Sequence, residues 1–552
     1  MELINRYLSK TEFKGSQDFE KNYQVIVPEN FDFARDIVDV WASEEPEKTA
    51  LIYCTDEDGS MIRFTFTDIS RLSKQMASWL TENGIHRGDR VVTMLRRHWM
   101  YWIIAVALCR IGAVAAPISI QMKEKDIAYR IDTCKAKALI VLPDEDVLEQ
   151  IRDLPDKCRT LEGIYTINHE ADGYRCLSDE FIQCGQYEQP NQACNTDPLV
   201  AYFTSGTSGY PKMAMHNRLY PLGHIITAKY MQCVQNNGLH LTQTDSGWAK
   251  FGWGNIYGQW ICGTAILAYD PIRFNTKNMM HILQTYRPTT MCVPPTMYRF
   301  LLHDGLTREH VESIQWYSTA GEPLSGEVNQ QFFQLTGHYI HEGCGQSEGT
   351  PITFTSPFID VRPSSMGKPS PLYHVDLIRP DGSSCDVGET GELVLRVDES
   401  RPHVGLLDYY YINGETIYPV QDGIYHTGDT AYKDADGYYW YVGRIDDMIK
   451  CSGYRIGPFE IESVLNSHPA VKESAIVGAK DPIRGQIVAA VIVLQNGYTA
   501  SDNLTHELQK YVKEVTAPYK YPRKIVYVDS LPKTTTGKIV RREAKEYAAK
   551  YA

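Results

Sequence analysis

Residues 204–212 read TSGTSGYPK and carry the densest chemistry in the chain. Thr204, Ser205, Thr207 and Ser208 offer hydroxyl donors, and Gly206 and Gly209 let backbone N–H groups turn toward one point. Tyr210 and Pro211 then lead to a cation, Lys212. Such a combination suits phosphate. Its glycine-to-lysine spacing, and the Met213 that follows the lysine, separate it from the Walker loop. A flexible polar surface loop explains any one of these residues, but not a lysine closing the run.

Other residues could share the work. The stretch 248–267 reads WAKFGWGNIYGQWICGTAIL, in which Trp248 and Trp253 supply apolar walls and Lys250 calls for an anionic partner or a route to solvent. An aromatic core helix accounts equally for either tryptophan. Two short apolar runs end in AGEPLS and HEGCGQSE, and Glu348 in the second is a hard oxygen donor suited to magnesium shared with phosphates, or a plain loop carboxylate. Asp429, after Gly428, can accept hydrogen bonds from paired sugar hydroxyls, or is an ordinary turn aspartate. Near the C-terminus, PYKYPRK and PKTTTGKIVRR cluster Lys and Arg in a chain whose net charge is −13.

These groups need a scaffold larger than one core, and 552 residues suggest two or more domains. Apolar runs at 91–95, 114–118, 136–141 and 164–167 alternate with helical periodicity, which predicts a parallel or mixed α/β sheet with ligand loops at the strand ends. The run 199–203 predicts a strand delivering the 204–212 loop. Ala34, Ile37, Val38 and Trp41 mark a first amphipathic helix, and 51–54 with 61–66 a hairpin. A second helix carries Ile69, Leu72, Met76, Trp79 and Leu80, with Thr67 as its expected cap and Gly84 as its end. After 443–450 the pattern becomes that of a small α+β unit. The acidic balance excludes broad nucleic-acid binding. The longest apolar stretch, 99–120, is broken by Arg110 and predicts a buried helix running into a strand instead of a membrane span. A polar N-terminal stretch and thirteen cysteines without a C-x-x-C pair point to reduced thiols and the cytoplasm.

Taken in order, TSGTSGYPK, GEP at 321–323, EGCGQSE at 342–348, YHTGD at 425–429, GRIDDMIKCSGYRIGPFEIE from 443 and PKTTTGK ending at Lys538 resemble the acyl-adenylate-forming superfamily. That superfamily includes acyl-CoA synthetases, firefly luciferase and peptide-synthetase adenylation domains. The chain is most similar to the medium-chain acyl-CoA synthetases, through FDFARDIVDVWA, SGYRIGPFEIES, DPIRGQIVAA and TAPYKYPRKI.

The resemblance implies a large N-terminal AMP-binding domain, 1–445, of mixed sheets with helices, and a small mobile α+β domain, 446–552, hinged at Asp446. It implies ATP and coenzyme A as co-substrates and Mg2+ on Glu348. The 204–212 loop would hold the β- and γ-phosphates. Gly321, Glu322, Pro323, Glu342, Gly343, Cys344, Gly345 and Gln346 would line the adenine. Cys344 replaces the family's usual stacking aromatic, and a thiol is soft enough to pack there. Ser347 would reach the α-phosphate and the acyl carboxylate, Asp429 and Arg444 the ribose, and Lys538 the reacting groups during adenylation. Trp248, Lys250, Trp253, Ser347 and Arg455 would surround the acyl substrate. Ser452, Gly453, Tyr454, Arg484, Lys513, Tyr521, Pro522 and Arg523 match coenzyme A positions.

The function expected is an ATP-dependent acyl-CoA synthetase for short, medium or branched acids, with no nucleic-acid partner and a homodimer as the assembly considered. Three rivals remain: an aryl-CoA ligase of benzoate type, an adenylating enzyme that loads a carrier protein, and a non-catalytic nucleotide sensor. Intact Lys538, Glu348 and Asp429 count against the sensor, and the coenzyme A-type residues against the carrier loader.

Overall fold

Strands Arg90–Met94, Val114–Pro117, Ala138–Val141 and Gly163–Thr166 lie side by side and parallel, as the alternating pattern predicts. In the computed structural model they form the middle of a nine-stranded sheet. The structure describes every residue except 1, 57–60, 169, 172, 205–210, 413, 452–453, 482–484, 517, 534–538 and 551–552. The sheet continues through Pro198–Thr204, then turns antiparallel through Lys212–Asn217, Tyr409–Ile412 and Glu415–Ile417. The parallel strands are buried almost throughout, as strands covered on both faces must be.

A second nine-stranded sheet has a parallel centre: Ile340–Cys344, Trp316–Ala320, Thr290–Cys292, Leu239–Thr242, Ala265–Tyr269 and Thr49–Cys54. The expected hairpin closes one edge, with Met61–Thr65 antiparallel to Thr49–Cys54. One apolar core joins the two sheets, taking in Val91 and Ile140 from the first, Leu51 and Ile266 from the second, and Trp41, Trp102 and Trp260 between them.

Two helices show how local sequence sets this core. Helix Phe66–Glu82 buries the expected face of Ile69, Leu72, Met76, Trp79 and Leu80. Its cap is Thr65, not Thr67: Thr65 and Asp68 form a reciprocal capping box. The strand runs straight into the helix, so the cap falls on the last strand residue, and Thr67 donates to the Pro46 carbonyl instead. Gly84 ends the helix at φ +82°, with Ile85 N–H bonded to the Leu80 carbonyl. Helix Met100–Ile111 is the buried helix expected from 99–120. Its buried Arg110 is paired with Asp39, which accepts from both Nη groups, at 2.7 and 2.6 Å.

A third, antiparallel sheet holds His374–Ile378, Thr390–Arg396, Ile424–Lys433 and Tyr439–Arg444. It completes the large N-terminal domain. The small C-terminal domain is α+β: strands Ile449–Cys451, Tyr454–Ile456, Val471–Asp481, Gly485–Leu494 and Lys524–Tyr527 with helices Pro458–Asn466, Asp502–Val515 and Arg541–Lys550. It carries its own core on both sheet faces, Ile461, Leu465, Ile476 and Leu508 on one, Val477, Val491 and Ala544 on the other. Among the described residues no helix is long and apolar enough to cross a membrane. Among the described residues no disulfide joins any of the thirteen cysteines.

Candidate active site

The loop 204–212 joins two neighbouring antiparallel strands, and Thr204 pairs with Lys212 across its base. Ser205, Gly206, Thr207, Ser208, Gly209 and Tyr210 lie outside the described residues. The Pro211 carbonyl accepts a hydrogen bond from Tyr129 at 2.9 Å, which anchors the loop's far end.

Along Lys212–Asn217, side chains alternate between faces, so Lys212, Ala214 and His216 share one. Tyr410 pairs with Ala214 on the neighbouring strand and stands on that same face. There it meets two predicted residues. The Lys212 ammonium lies 5.2 Å from the centre of its ring, and its hydroxyl donates to Glu348 Oε1 at 2.9 Å. Burial and then the Glu348 carboxylate hold the Tyr410 phenol well above its ordinary pKa, so it remains a donor. His216 is fully buried, and its Nε2 lies 2.8 Å from the Ser347 carbonyl. Burial pushes its imidazole down to about 4, hence neutral at physiological pH. Nε2 therefore carries the proton and donates, fixing the backbone between Gln346 and Glu348.

Gln346, Asp429 and Arg444 form one network. Gln346 donates to Asp429 Oδ2 at 2.5 Å and to the Thr427 carbonyl at 2.8 Å, and accepts from Tyr425 at 3.0 Å. Arg444 pairs with Asp429 across adjacent strands and donates to its Oδ1 at 3.0 Å. Burial opposes the Arg444 charge, but the Asp429 carboxylate outweighs it and holds the guanidinium above its ordinary value. Gly428 makes this approach feasible: its φ is +70°, and a Cβ there would sit 2.7 Å from Arg444 Nη2.

The Gly321–Pro323 and Glu342–Glu348 segments leave neighbouring parallel strands at their carboxyl ends, the usual ligand end of such a sheet. Glu342 ties them together, accepting the Leu324 N–H at 3.0 Å. Burial raises this carboxyl to about 8, against the opposing pull of that N–H. Glu322 turns outward and accepts from Thr296 at 2.8 Å. Lys250 donates to the Ala320 carbonyl at 2.7 Å, at the foot of the GEP segment. Cys344 is half-buried and packs in the apolar cluster containing Ile352 and Tyr441.

Trp253 is 5% exposed, and its indole lies so close to Gly345 that a Cβ there would stand 2.5 Å from Cη2. The helix Ala249–Asn255 thus presses this ring against the segment that carries Ser347. Trp248, at the helix's N-cap, is half-buried.

In the C-terminal domain the structure gathers Lys513, Tyr521 and Arg523. The Lys513 ammonium lies 3.9 Å and the Arg523 guanidinium 4.7 Å from the Tyr521 ring centre, and Arg523 donates to the Tyr521 hydroxyl at 2.7 Å. Two cations on one ring form a patch for an anion. Pro522 between them is buried. Asp446 sits exposed in the short turn Ile445–Asp447. Lys538, Ser452, Gly453 and Arg484 lie outside the described residues, and so do the side chains of Tyr454 and Arg455.

No group of three or more His, Cys, Asp or Glu gathers for a metal among the described residues. The surroundings of Glu348 fit Mg2+ in the mode that needs least protein: one carboxylate, with phosphates and water completing the shell. Tyr410 and His216 were not singled out from the sequence, and Tyr425 was named only as the first residue of YHTGD. Tyr410 lies in DYYYING, which carries no motif. His216 had a usable signal, because period-2 alternation places it on the face of Lys212.

The sequence matches the AMP-binding enzyme family over residues 38–400 and the AMP-binding enzyme C-terminal domain over 460–538. Acyl-coenzyme A synthetase ACSM3, mitochondrial, from Homo sapiens is 34% identical over 554 residues, covering 98% of this chain and 94% of its own. Acyl-coenzyme A synthetase ACSM4, mitochondrial, from Rattus norvegicus is 37% identical over 530 residues, with 94% and 91% covered. Among solved structures, the anthranilate CoA ligase AuaEII in complex with anthranoyl-AMP superposes with a TM-score of 0.85 at 28% identity, covering 95% of this chain and 99% of the other.

Proposed function

The chain belongs to the AMP-binding enzyme family, and we propose that its site activates a short- or medium-chain, straight or branched carboxylic acid. Its activity is that of an ATP-dependent acyl-coenzyme A synthetase, an AMP-forming acid–thiol ligase. A carboxylate oxygen attacks the α-phosphorus of ATP, and the bond to the β-phosphate oxygen breaks to release pyrophosphate. The coenzyme A sulfur then attacks the acyl carbonyl, and the bond to the phosphate oxygen breaks to release AMP.

The observation that carries the residue roles is the convergence of Lys212, Tyr410 and Glu348 from three distant segments. In-line attack at phosphorus needs charge neutralisation and alignment more than covalent help. Residues 204–212 cradle the β- and γ-phosphates and then pyrophosphate, with Lys212 held by Tyr410. Glu348 would hold Mg2+ beside them, which when bound supplies positive charge to the phosphates. Gln346 and Arg444 each take one oxygen of Asp429. Held in place by both, the Asp429 carboxylate would accept the ribose hydroxyls. Ser347, its backbone fixed by His216, presents its hydroxyl to the α-phosphate and the acyl carboxylate. Gly321–Pro323 and residues 342–346 frame the adenine, with Cys344 as a soft contact.

Trp253 is proposed as the wall that limits acyl length, with Trp248, Lys250 and Arg455 around the same chamber. The boundary between domains is placed at 445/446, with Asp446 as hinge. Turning there withdraws Lys538 after adenylation and brings Ser452, Gly453 and Tyr454 to the thiol channel. Arg484, Lys513, Tyr521, Pro522 and Arg523 then receive the phosphates of coenzyme A. An aryl acid is a second reading, supported by the indole wall at Gly345 and by the likeness to the anthranilate ligase. For the compartment we propose the cytoplasm, in keeping with thirteen cysteines that form no disulfide among the described residues; the mammalian relatives are named mitochondrial, and cell fractionation decides.

Pyrophosphate release over a panel of straight, branched and aryl acids, with and without coenzyme A, tests the function. Acid-dependent release followed by acyl-CoA formation supports it, and release indifferent to the acid refutes it.

A further inference from the structure

Arg541 follows Lys538 by three residues and opens the last helix, Arg541–Lys550. Its guanidinium reaches three separate elements. Both Nη groups donate to the buried carboxylate of Glu462, on helix Pro458–Asn466, with the Nη2 contact at 2.8 Å. Nη1 also donates to the Ile476 carbonyl at 2.8 Å, and the Ile476 N–H donates to that same Glu462 carboxylate at 2.7 Å. Nε lies 3.4 Å from Asp447, which ends the short turn Ile445–Asp447 and follows Asp446 directly. Burial opposes the Arg541 charge, but the Glu462 and then the Asp447 carboxylates outweigh it and hold the guanidinium above its ordinary value.

The chain just ahead of Arg541 is pinned as well. Lys533 pairs with Ile539, and the Val540 N–H donates to the Pro532 carbonyl at 2.9 Å. Behind Arg541, Ala544 and Ala548 pack with Val477 and Val491 in the core of the small domain. Asp447 stands one residue past the proposed hinge, so a single side chain joins the pivot of the small domain to the base of the segment that carries Lys538. We propose that Arg541 is a positioning residue for adenylation: by holding Asp447 and Glu462 together, it sets where Lys538 arrives when the domain turns about Asp446. The inference rests on Lys538 acting in that half-reaction. The strands flanking residues 452–453 take their support elsewhere. Ile449–Cys451 pairs with Tyr454–Ile456, and Cys451 pairs with Gly485. Thioester formation is therefore the half-reaction that does not depend on Arg541.

The test measures the two half-reactions separately in the full chain. Arg541→Lys keeps the charge but loses the planar fork that spans both Glu462 oxygens and Asp447. Asp447→Asn removes only the charge beside the hinge. Pyrophosphate release from Mg-ATP and an accepted acid should fall by about 10- to 100-fold in Arg541→Lys and by about 3- to 10-fold in Asp447→Asn, as small misplacements of a reacting group do. Thioester formation from supplied acyl-AMP should stay within about twofold of the parent in both, because the effect is confined to the placing of Lys538. In a Lys538→Ala background neither substitution should slow adenylation further, since a residue that acts through the lysine has nothing left to place. If melting curves show that Arg541→Lys does not fold, Asp447→Asn carries the test. Equal loss of both half-reactions, losses that multiply with that of Lys538→Ala, or undiminished adenylation by a folded Asp447→Asn enzyme would each overturn the positioning role and leave the ligase standing. Undiminished adenylation by Lys538→Ala would instead overturn the role of Lys538, and this inference with it.

Discussion

Replacing Tyr410 by Phe removes one oxygen from a residue that contacts both Lys212 and Glu348. The hydroxyl donates to Glu348 Oε1 at 2.9 Å, in a half-buried setting. A hydrogen bond to a charged partner contributes about 1.5–3 kcal/mol. If the bond orients the carboxylate for the transition state, its loss slows adenylation by about 10- to 100-fold, since each 1.4 kcal/mol is roughly a factor of ten. The ring survives in Tyr410→Phe, so the Lys212 contact at 5.2 Å is kept. Tyr410→Leu removes it too, and a cation–π contact of about 0.5–1 kcal/mol adds a further factor of roughly 2 to 5. The assay is pyrophosphate release against Mg-ATP at saturating acid, with thermal melting to confirm that both variants fold. The Phe variant should lose activity at every Mg2+ concentration, and the Leu variant should lose more. A folded Tyr410→Phe enzyme within twofold of the parent would show that the hydroxyl does not position Glu348, and that Tyr410 is only a spacer between strands.

Three further perturbations address separate parts of the site. Lys538→Ala should slow adenylation by roughly 10²–10³-fold, as for one lost electrostatic donor, while thioester formation from supplied acyl-AMP persists; equal loss of both half-reactions would contradict the turning of the domain about Asp446. Trp253→Ala should extend the range of accepted chain lengths, read as kcat/KM over a series of straight acids, and an unchanged profile would remove the indole from the role of wall. Glu342 is a carboxyl whose folded pKa, about 8, lies above its ordinary 4.5. Its contribution to stability is full below 4.5 and is lost as pH rises through 8. Relative to Glu342→Gln, the parent should therefore lose stability between those values, by up to roughly 1 kcal/mol per pH unit. Parallel denaturation curves across that window would mean that Glu342 is ionised in the fold.

What the sequence disclosed, and what it hid, divides along physical lines. Asp429 and Arg444 were legible as motif residues, and strands Ile424–Lys433 and Tyr439–Arg444 place the two side by side. The buried strands and the amphipathic helix face of Ile69 to Leu80 follow from periodicity alone. Tyr410 could not be found this way. Its place depends on pairing with Ala214, nearly two hundred residues earlier, and no local pattern encodes that register. The Thr67 cap failed for a related reason: the strand and helix share a boundary without a loop, so cap chemistry moved back to Thr65.

The two-step reaction can be separated by omitting one substrate. The enzyme is incubated with ATP, Mg2+ and an accepted acid, without coenzyme A, and the products are followed as coenzyme A is then added. A burst of pyrophosphate matching the enzyme concentration should come first, with acyl-AMP retained on the protein. Addition of coenzyme A should convert it to acyl-CoA and AMP in equal amounts. Pyrophosphate that appears only once coenzyme A is present, or ADP and phosphate in place of AMP and pyrophosphate, would contradict an acyl-adenylate intermediate.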